Sequence, residues 1–311
     1  MPAANPRRVL GLDGLWEFRF EGRARLEGER HSIRVPGIWQ TQFPELRNAQ
    51  GTGHYVRQIE LPADWAGKNV VLVMEGVFHE TTILIDGKPV ATNGNGWTEI
   101  EVDLTEVLEG AKTFALGVVA RVPDDRDYQH SSFGQALAAK QDWYGIHGGA
   151  WKPARLEGRN PLHLRGVAVE TSTDLRSRGV GVKGALSIEQ PANVHIELKR
   201  GDEIIARREF AVSSKAFELR LPVADVELWS PEAPNLYEVV VSLLSDATIV
   251  DAIERSVGFR LFESRDARLF LNSRPFYMFG RSIRIGIPSR IAATPKWPFW
   301  SSGSGTPRRW G

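Results

Sequence analysis

The 311-residue chain contains no cysteine, which removes disulfides, thiolate nucleophiles and cysteine metal ligands from consideration at once. Surplus charge is missing as well: 39 basic residues face 38 acidic ones, a net of +1. That balance points neither to nucleic acid nor to a membrane surface as the main partner. No apolar run reaches the ~18 residues that a membrane-crossing helix needs. The opening Met1-Pro-Ala-Ala-Asn-Pro-Arg-Arg carries positive charge with no apolar stretch behind it, so no secretory leader is read there and a cytoplasmic location is expected. Long helical periodicity is also scarce. What remains is a hydrophobic share of 42% and a charged share of 25%, the composition of a globular protein.

The apolar pattern is short in period. Residues 69–77 and 81–86 are compact β-branched runs. Asp86-Gly87 then sits where a two-residue hairpin turn belongs, with Lys88-Pro-Val90 starting the return strand. Residues 113–122 form another strand, 193–199 and 203–210 flank a turn at Gly201-Asp202, and 215–221 alternate apolar and polar side chains. Residues 236–244 read as a further core strand. Many short strands punctuated by Gly, Pro and Asp predict an all-β chain. A boundary falls near Pro161. Residues 1–162, with large aromatics and long loops, have the size of a jelly roll. Residues 163–262, with strand signals roughly every 8–12 positions, fit an immunoglobulin-like β-sandwich.

From residue 281 the character changes. Arg281, Arg284, Arg290, Lys296, Arg308 and Arg309 occur there without a single acid, and Trp297, Trp300 and Trp310 appear among Ser, Gly and Pro. Setting those six aside leaves 33 basic against 38 acidic residues. A stretch such as Ser301-Ser-Gly-Ser-Gly-Thr-Pro307 cannot bury enough apolar surface to order itself. Residues 281–311 are expected to be disordered.

Identity lies in local strings rather than in periodicity. Leu12-Asp-Gly-Leu-Trp-Glu-Phe18, Val35-Pro-Gly-Ile-Trp-Gln40, His54-Tyr-Val-Arg57, Leu61-Pro-Ala-Asp-Trp-Ala-Gly-Lys68 and Glu75-Gly-Val-Phe78 follow one another. Ile85-Asp-Gly-Lys-Pro-Val90, Trp97-Thr-Glu-Ile-Glu-Val-Asp-Leu-Thr-Glu-Val-Leu108 and Tyr144-Gly-Ile-His-Gly-Gly-Ala-Trp151 come next. Leu228-Trp-Ser-Pro-Glu-Ala-Pro-Asn-Leu-Tyr237, Gly258-Phe-Arg260 with Glu263, and Phe270-Leu-Asn-Ser-Arg-Pro-Phe276 complete the series. In this order they resemble the front half of family 2 glycoside hydrolases, the β-galactosidase, β-glucuronidase and β-mannosidase type. The resemblance implies a sugar-binding jelly roll, an immunoglobulin-like sandwich and, over residues 263–280, the lead-in to a (β/α)8 catalytic barrel.

It also implies a site. In the family an Arg-x-x-Asp after a core strand sends its Asp toward the substrate pocket of the barrel and, in some members, onto a sodium ion. Arg121-Val-Pro-Asp124 has that spacing. Asp124, Asp125, Asp142, Tyr144 and Trp151 are therefore the candidate substrate-binding residues, and Asp124 is the candidate sodium ligand. Carboxylates suit sugar hydroxyls and hard cations because they accept several charge-assisted hydrogen bonds. A solvated acidic loop is the plain alternative. Trp16, Trp39, Trp65 and Trp229 read as packing, and Gly148-Gly149 as a close backbone approach. Pro231 and Pro234 read as turn formers. His79-Glu80 has no second His at metal-binding spacing and receives no metal role.

Catalysis is what the resemblance leaves out. Retaining glycosidases use two carboxyl groups about 5–5.5 Å apart, which this family places on barrel strands. A barrel takes about 250 residues, and only 31 follow Gly280. No catalytic residue is assigned, no cofactor is expected for this chain, and Na+ or Mg2+ belongs to a full-length parent. The expected partners are a β-linked sugar or oligosaccharide, held weakly, and the missing barrel, with no nucleic acid and no membrane. The family would continue past Gly280 with a run resembling LDQDYYP, whereas Arg281-Ser-Ile-Arg-Ile-Gly-Ile-Pro288 matches nothing. Back-translated and read one frame over, the same stretch can spell LDQDWYP followed by an amphipathic helix. An out-of-frame end is the expectation. The other reading is a stand-alone, lectin-like carbohydrate-binding module.

Overall fold

The computed structural model describes residues 6–26, 30–122, 147–172 and 177–278. Over them the chain is almost entirely antiparallel strand, and its helices are single turns such as Trp39–Gln42 and Thr105–Leu108. The first unit contains β1 (Arg8–Gly11), β2 (Gly14–Gly22), β3 (His31–Val35), β4 (Gly51–Glu60), β5 (Asn69–Met74), β6 (Val77–Phe78), β7 (Glu80–Ile85), β8 (Lys88–Asn93), β9 (Ile100–Asp103), β10 (Thr113–Val122), β11 (Gly149–Ala150) and β12 (Ala154–Arg159). They form a six-stranded sheet ordered β3-β2-β4-β10-β7-β8, a four-stranded sheet ordered β1-β12-β5-β9, and the small pair β11-β6. Neighbours in these sheets are seldom neighbours in sequence, as in a jelly roll.

Alternation explains why these segments pair as they do. Along β2, Trp16 and Phe18 are buried while Leu15, Glu17 and Arg19 are exposed, so one face enters the core. Trp16, Trp39 and Trp65 are all buried, as their packing role required. Phe18 stacks on Phe43 at 5.4 Å and meets Tyr55 edge-on at 5.0 Å. The hairpin at Asp86-Gly87 forms as expected, Ile85 pairing with Lys88. Both turn residues have positive φ, 49° and 78°, the backbone that Asp tolerates and Gly adopts freely. The Asp86 carboxylate also accepts the Ala115 amide at 2.8 Å.

The second unit contains β13 (Leu164–Thr171), β14 (Gly179–Leu186), β15 (Ala192–Arg200), β16 (Glu203–Val212), β17 (Ala216–Pro222), β18 (Tyr237–Ser245) and β19 (Thr248–Val257). A three-stranded sheet, β13-β14-β17, packs on a four-stranded one, β16-β15-β18-β19. Val182, Val194, Ile196, Val239 and Val241 fill the space between them. The turn expected at Gly201-Asp202 joins β15 to β16. The Pro231 and Pro234 loop is tied down by the Tyr237 hydroxyl, which accepts the Glu227 amide at 2.7 Å.

Residues beyond β19 form a three-stranded antiparallel sheet of β20 (Phe262–Arg265), β21 (Arg268–Leu271) and β22 (Arg274–Phe276). Asn272 anchors it. Its backbone sits at φ 53°, its carboxamide oxygen accepts Leu261 N at 3.0 Å, and its amide donates to the Trp229 carbonyl at 3.1 Å. Two strings far apart in sequence therefore meet in one joint. Trp229 is half-buried there, with the Arg260 guanidinium 5.2 Å over its ring. The 281–311 tail lies outside the described residues.

An ionic network joins the two sandwiches. Arg155, Glu157 and Arg159 alternate along β12 and so project from one face. Glu157 accepts from Arg155 at 2.8 Å, from Arg159 at 2.9 Å and from Arg7 at 3.1 Å. Arg159 also forks onto Glu101 at 2.8 and 2.9 Å. Arg7 forks across to Asp251 on β19, both bonds being 2.8 Å, and Asp251 further accepts Leu164 N at 2.7 Å. Asn160 adds a second tie by donating to the Val250 carbonyl at 2.5 Å while accepting from Lys68 at 2.7 Å. Burial alone would raise the Glu101 and Glu157 carboxyls; the surrounding guanidiniums outweigh it and hold both below their ordinary value. Burial pushes His163, beside the junction, below its ordinary value, against the opposing Asn160 carbonyl.

Candidate functional site

The candidate residues fall in sequence between the end of β10 and the start of β12. Strand β10 ends at Val122, paired with Gly51 at the start of β4, and the described chain resumes at His147. The resumption is tightly seated. Trp39 N donates to the Gly148 carbonyl at 3.3 Å, and β11 pairs Gly149 with Phe78. A Cβ added at Gly148 would overlap the Trp39 ring, and one at Gly149 would overlap the Tyr55 hydroxyl. Gly149 also has φ 108°, a backbone that L side chains avoid. Close backbone approach is the role of this glycine pair, as its sequence suggests. Burial pushes the Tyr55 phenol far up, so it stays neutral as a packing group.

Asp124, Asp125, Asp142 and Tyr144 lie outside the described residues, so only Trp151 of the candidate set has a described position. Trp151 is half-buried. Its indole N–H donates to the Gly96 carbonyl at 3.0 Å, and its ring meets Trp97 edge-on at 5.7 Å. The Lys152 ammonium lies 4.6 Å over the same ring. Trp97 in turn meets buried Phe78 at 5.1 Å. Trp151 is thus a member of an aromatic cluster whose outermost ring is Trp97. In the sequence Trp97 stands inside a family-like motif with no assigned part, and the Asn93-Gly-Asn-Gly turn before it is the signal of its exposed position.

Where β10 ends, a cleft of about 1050 Å³ opens, its described lining including Arg23, Glu45, Arg47, Asn48, Gln50 and Arg121. Its lining includes three guanidinium and two carboxamide side chains, donors suited to hydroxyl or carboxylate acceptors. Arg121 is also paired with Glu80 at 3.2 Å. Next to Glu80, His79 is buried, and burial lowers its pKa against the opposing charge of Glu80. Among the described residues no group of three His, Asp or Glu side chains is placed to hold a metal ion. None of their helices is long and apolar enough to cross a membrane.

This architecture of paired sandwiches agrees with what comparison with known proteins shows. Residues 11–131 match the family profile described as glycosyl hydrolases family 2, sugar binding domain, and residues 162–260 match glycosyl hydrolases family 2. The chain belongs to glycosyl hydrolase family 2. A beta-galactosidase of Aeromonas hydrophila is 26% identical over 325 residues, covering 89% of this chain and 30% of the relative. A beta-glucuronidase of Formosa agariphila is 21% identical over 257 residues, covering 74% of this chain and 26% of the relative. Among solved structures, a b-glucuronidase from Ruminococcus gnavus in complex with D-glucuronic acid superposes with TM-score 0.73 at 20% identity, over 90% of this chain and 50% of that one. A GH2 beta-galacturonidase from Eisenbergiella tayi bound to glycerol gives 0.69 at 26% identity, over 86% and 46%. The chain thus spans under a third of the length of these curated relatives and about half of these solved chains.

Proposed function

We propose that this chain is the non-catalytic front portion of a glycoside hydrolase acting on β-linked sugars such as galactosides or glucuronides. Two β-sandwiches support a (β/α)8 barrel, and the segment after Val122 carries Asp124 and Asp125 to the rim of the barrel's sugar pocket. Asp142, Tyr144 and Trp151 line the return of that segment. The observation that carries this reading is the match of both family 2 profiles in order, over 11–131 and 162–260. On this reading the pair of carboxyl groups about 5–5.5 Å apart that retaining hydrolysis requires is assigned to the barrel rather than to either sandwich. Asp124 is also the candidate ligand for a sodium ion in the full-length parent, where a carboxylate suits a hard cation. The sugar hydroxyls are the ligands that Asp124 and Asp125 meet, as charge-assisted acceptors.

Reading the coding DNA past codon 280 tests this. A barrel-coding reading one frame over, opening with LDQDWYP or a close variant, is the expected result. A locus with no barrel in any frame would instead support a stand-alone carbohydrate-binding module.

A further inference from the structure

We propose that the exposed face of Trp97 is a stacking platform for a neutral hexopyranose ring, an accessory sugar subsite on the first sandwich. The inference rests on the reading of this chain as part of a sugar-processing enzyme and adds a site to it. Among the described tryptophans, Trp16, Trp39 and Trp65 are buried and Trp151 and Trp229 half-buried, whereas Trp97 is 60% exposed. An indole left in water at that level is ordinarily mobile. This one is held on two sides, edge-on to Phe78 at 68° and to Trp151 at 72°.

Its backbone is held as well. Trp97 N donates to the Asn95 side-chain oxygen at 3.0 Å, and Asn95 N donates to the Asn93 side chain at 3.2 Å. The Asn93 amide closes the turn on the Asn95 carbonyl at 2.9 Å. Gly96 between them has no room for a side chain, because a Cβ there would run into the Phe78 ring and lie 3.0 Å from its Cα. The ring is therefore ordered before any ligand arrives, and little of the binding energy goes to fixing it.

The surroundings choose the ligand class. Gly94, Asn95, Thr98 and Glu99, which flank Trp97, are all exposed and none carries a large apolar side chain. A protein partner needs a contiguous apolar centre with a polar rim; one indole among polar groups does not supply it. A hexopyranose matches instead. Its axial C–H face lies on the negative face of the ring, and its hydroxyls reach outward to polar neighbours. Asn95, Glu99 and Lys152 provide donors and acceptors of the needed kind, Glu99 being steadied by Arg155 at 3.6 Å.

Saturation-transfer NMR and calorimetry on the whole 311-residue chain, with methyl β-galactopyranoside and methyl β-glucopyranoside as probes, test the assignment. The expected result is millimolar binding with saturation strongest on the axial ring protons, weakened roughly tenfold or more in Trp97→Ala and less in Trp97→Phe. Because the side chain is largely exposed, both variants should remain folded, with only a small midpoint fall from the lost edge contacts to Phe78 and Trp151, and a cooperative transition in each separates loss of binding from loss of fold. Equal binding in Trp97→Ala overturns the platform while leaving a sugar-processing role intact. Absence of binding by either probe overturns it too, and the parent reading then rests on the coding DNA. Self-association that falls in Trp97→Ala with sugar affinity unchanged makes the face a protein interface and equally sinks the proposal.

Discussion

Asp251→Ala is expected to lower the unfolding free energy of the chain by about 3–5 kcal/mol, the cost of leaving one partner of a buried ion pair uncompensated. The carboxylate is 1% exposed. Removing it strips both bonds from one fork of Arg7 and the acceptor from Leu164 N. Neither group can turn to water without opening the junction. A midpoint fall of the order of 10 °C follows for units of this size. Asp251→Asn, which keeps the shape and one acceptor, should cost less. Since the pair spans the two sandwiches, Asp251→Ala should also split a single thermal transition into two. A calorimetric trace with one transition and a midpoint near the wild-type value would contradict the role given to this pair.

The same junction sets the acid limit. Glu101 and Glu157 hold their protons less readily folded than unfolded, where the ordinary value is 4.5; His163 likewise falls below 6.5. The unfolded chain therefore binds more protons than the folded one as pH falls, and stability drops in that direction. Stability from all three groups is complete above 6.5. The histidine contribution begins to disappear below that value, and the two carboxylate contributions follow below 4.5 as pH falls through their folded pKa values.

The second large effect is expected at the glycine pair. Gly149→Ala should destabilise the first sandwich by about 3 kcal/mol or more, combining overpacking with a backbone that an L side chain adopts only under strain. Tyr55, against which the new methyl would press, is 1% exposed and has nowhere to go. Gly148→Ala presses instead on Trp39, which is fully buried. Pairing Gly148→Ala with Trp39→Phe should recover part of the loss, because the two positions share one space. Chemical unfolding of the single and double variants reads this out, and an additive double variant would contradict the contact.

Some of this architecture is legible in the residues alone, and some is not. The Asp86-Gly87 hairpin, the alternation of Trp16 and Phe18 and the glycine close approach are local, so a short window contains their cause. The tie between Arg7 and Asp251 joins positions 244 apart, and no periodicity announces it. Asn272 shows the intermediate case: its string is visible as a motif, while its bonds to Leu261 and the Trp229 carbonyl depend on the fold. Trp97 sits in a strand-like run where an aromatic ordinarily signals core. Its exposure follows from the Asn93–Asn95 turn and from the place that Trp151 takes beneath it. Asp124, Asp125, Asp142 and Tyr144 were reached only through family resemblance and stand as proposals.

Turnover of nitrophenyl β-galactoside and β-glucuronide by the purified 311-residue chain bears most directly on the proposal that it is a non-catalytic front portion. The expected rate is that of a mock preparation, since the proposed reading places the carboxyl pair that hydrolysis needs on the barrel. Turnover well above the mock rate, co-eluting with the chain and abolished by a single Asp or Glu substitution within it, would contradict that role.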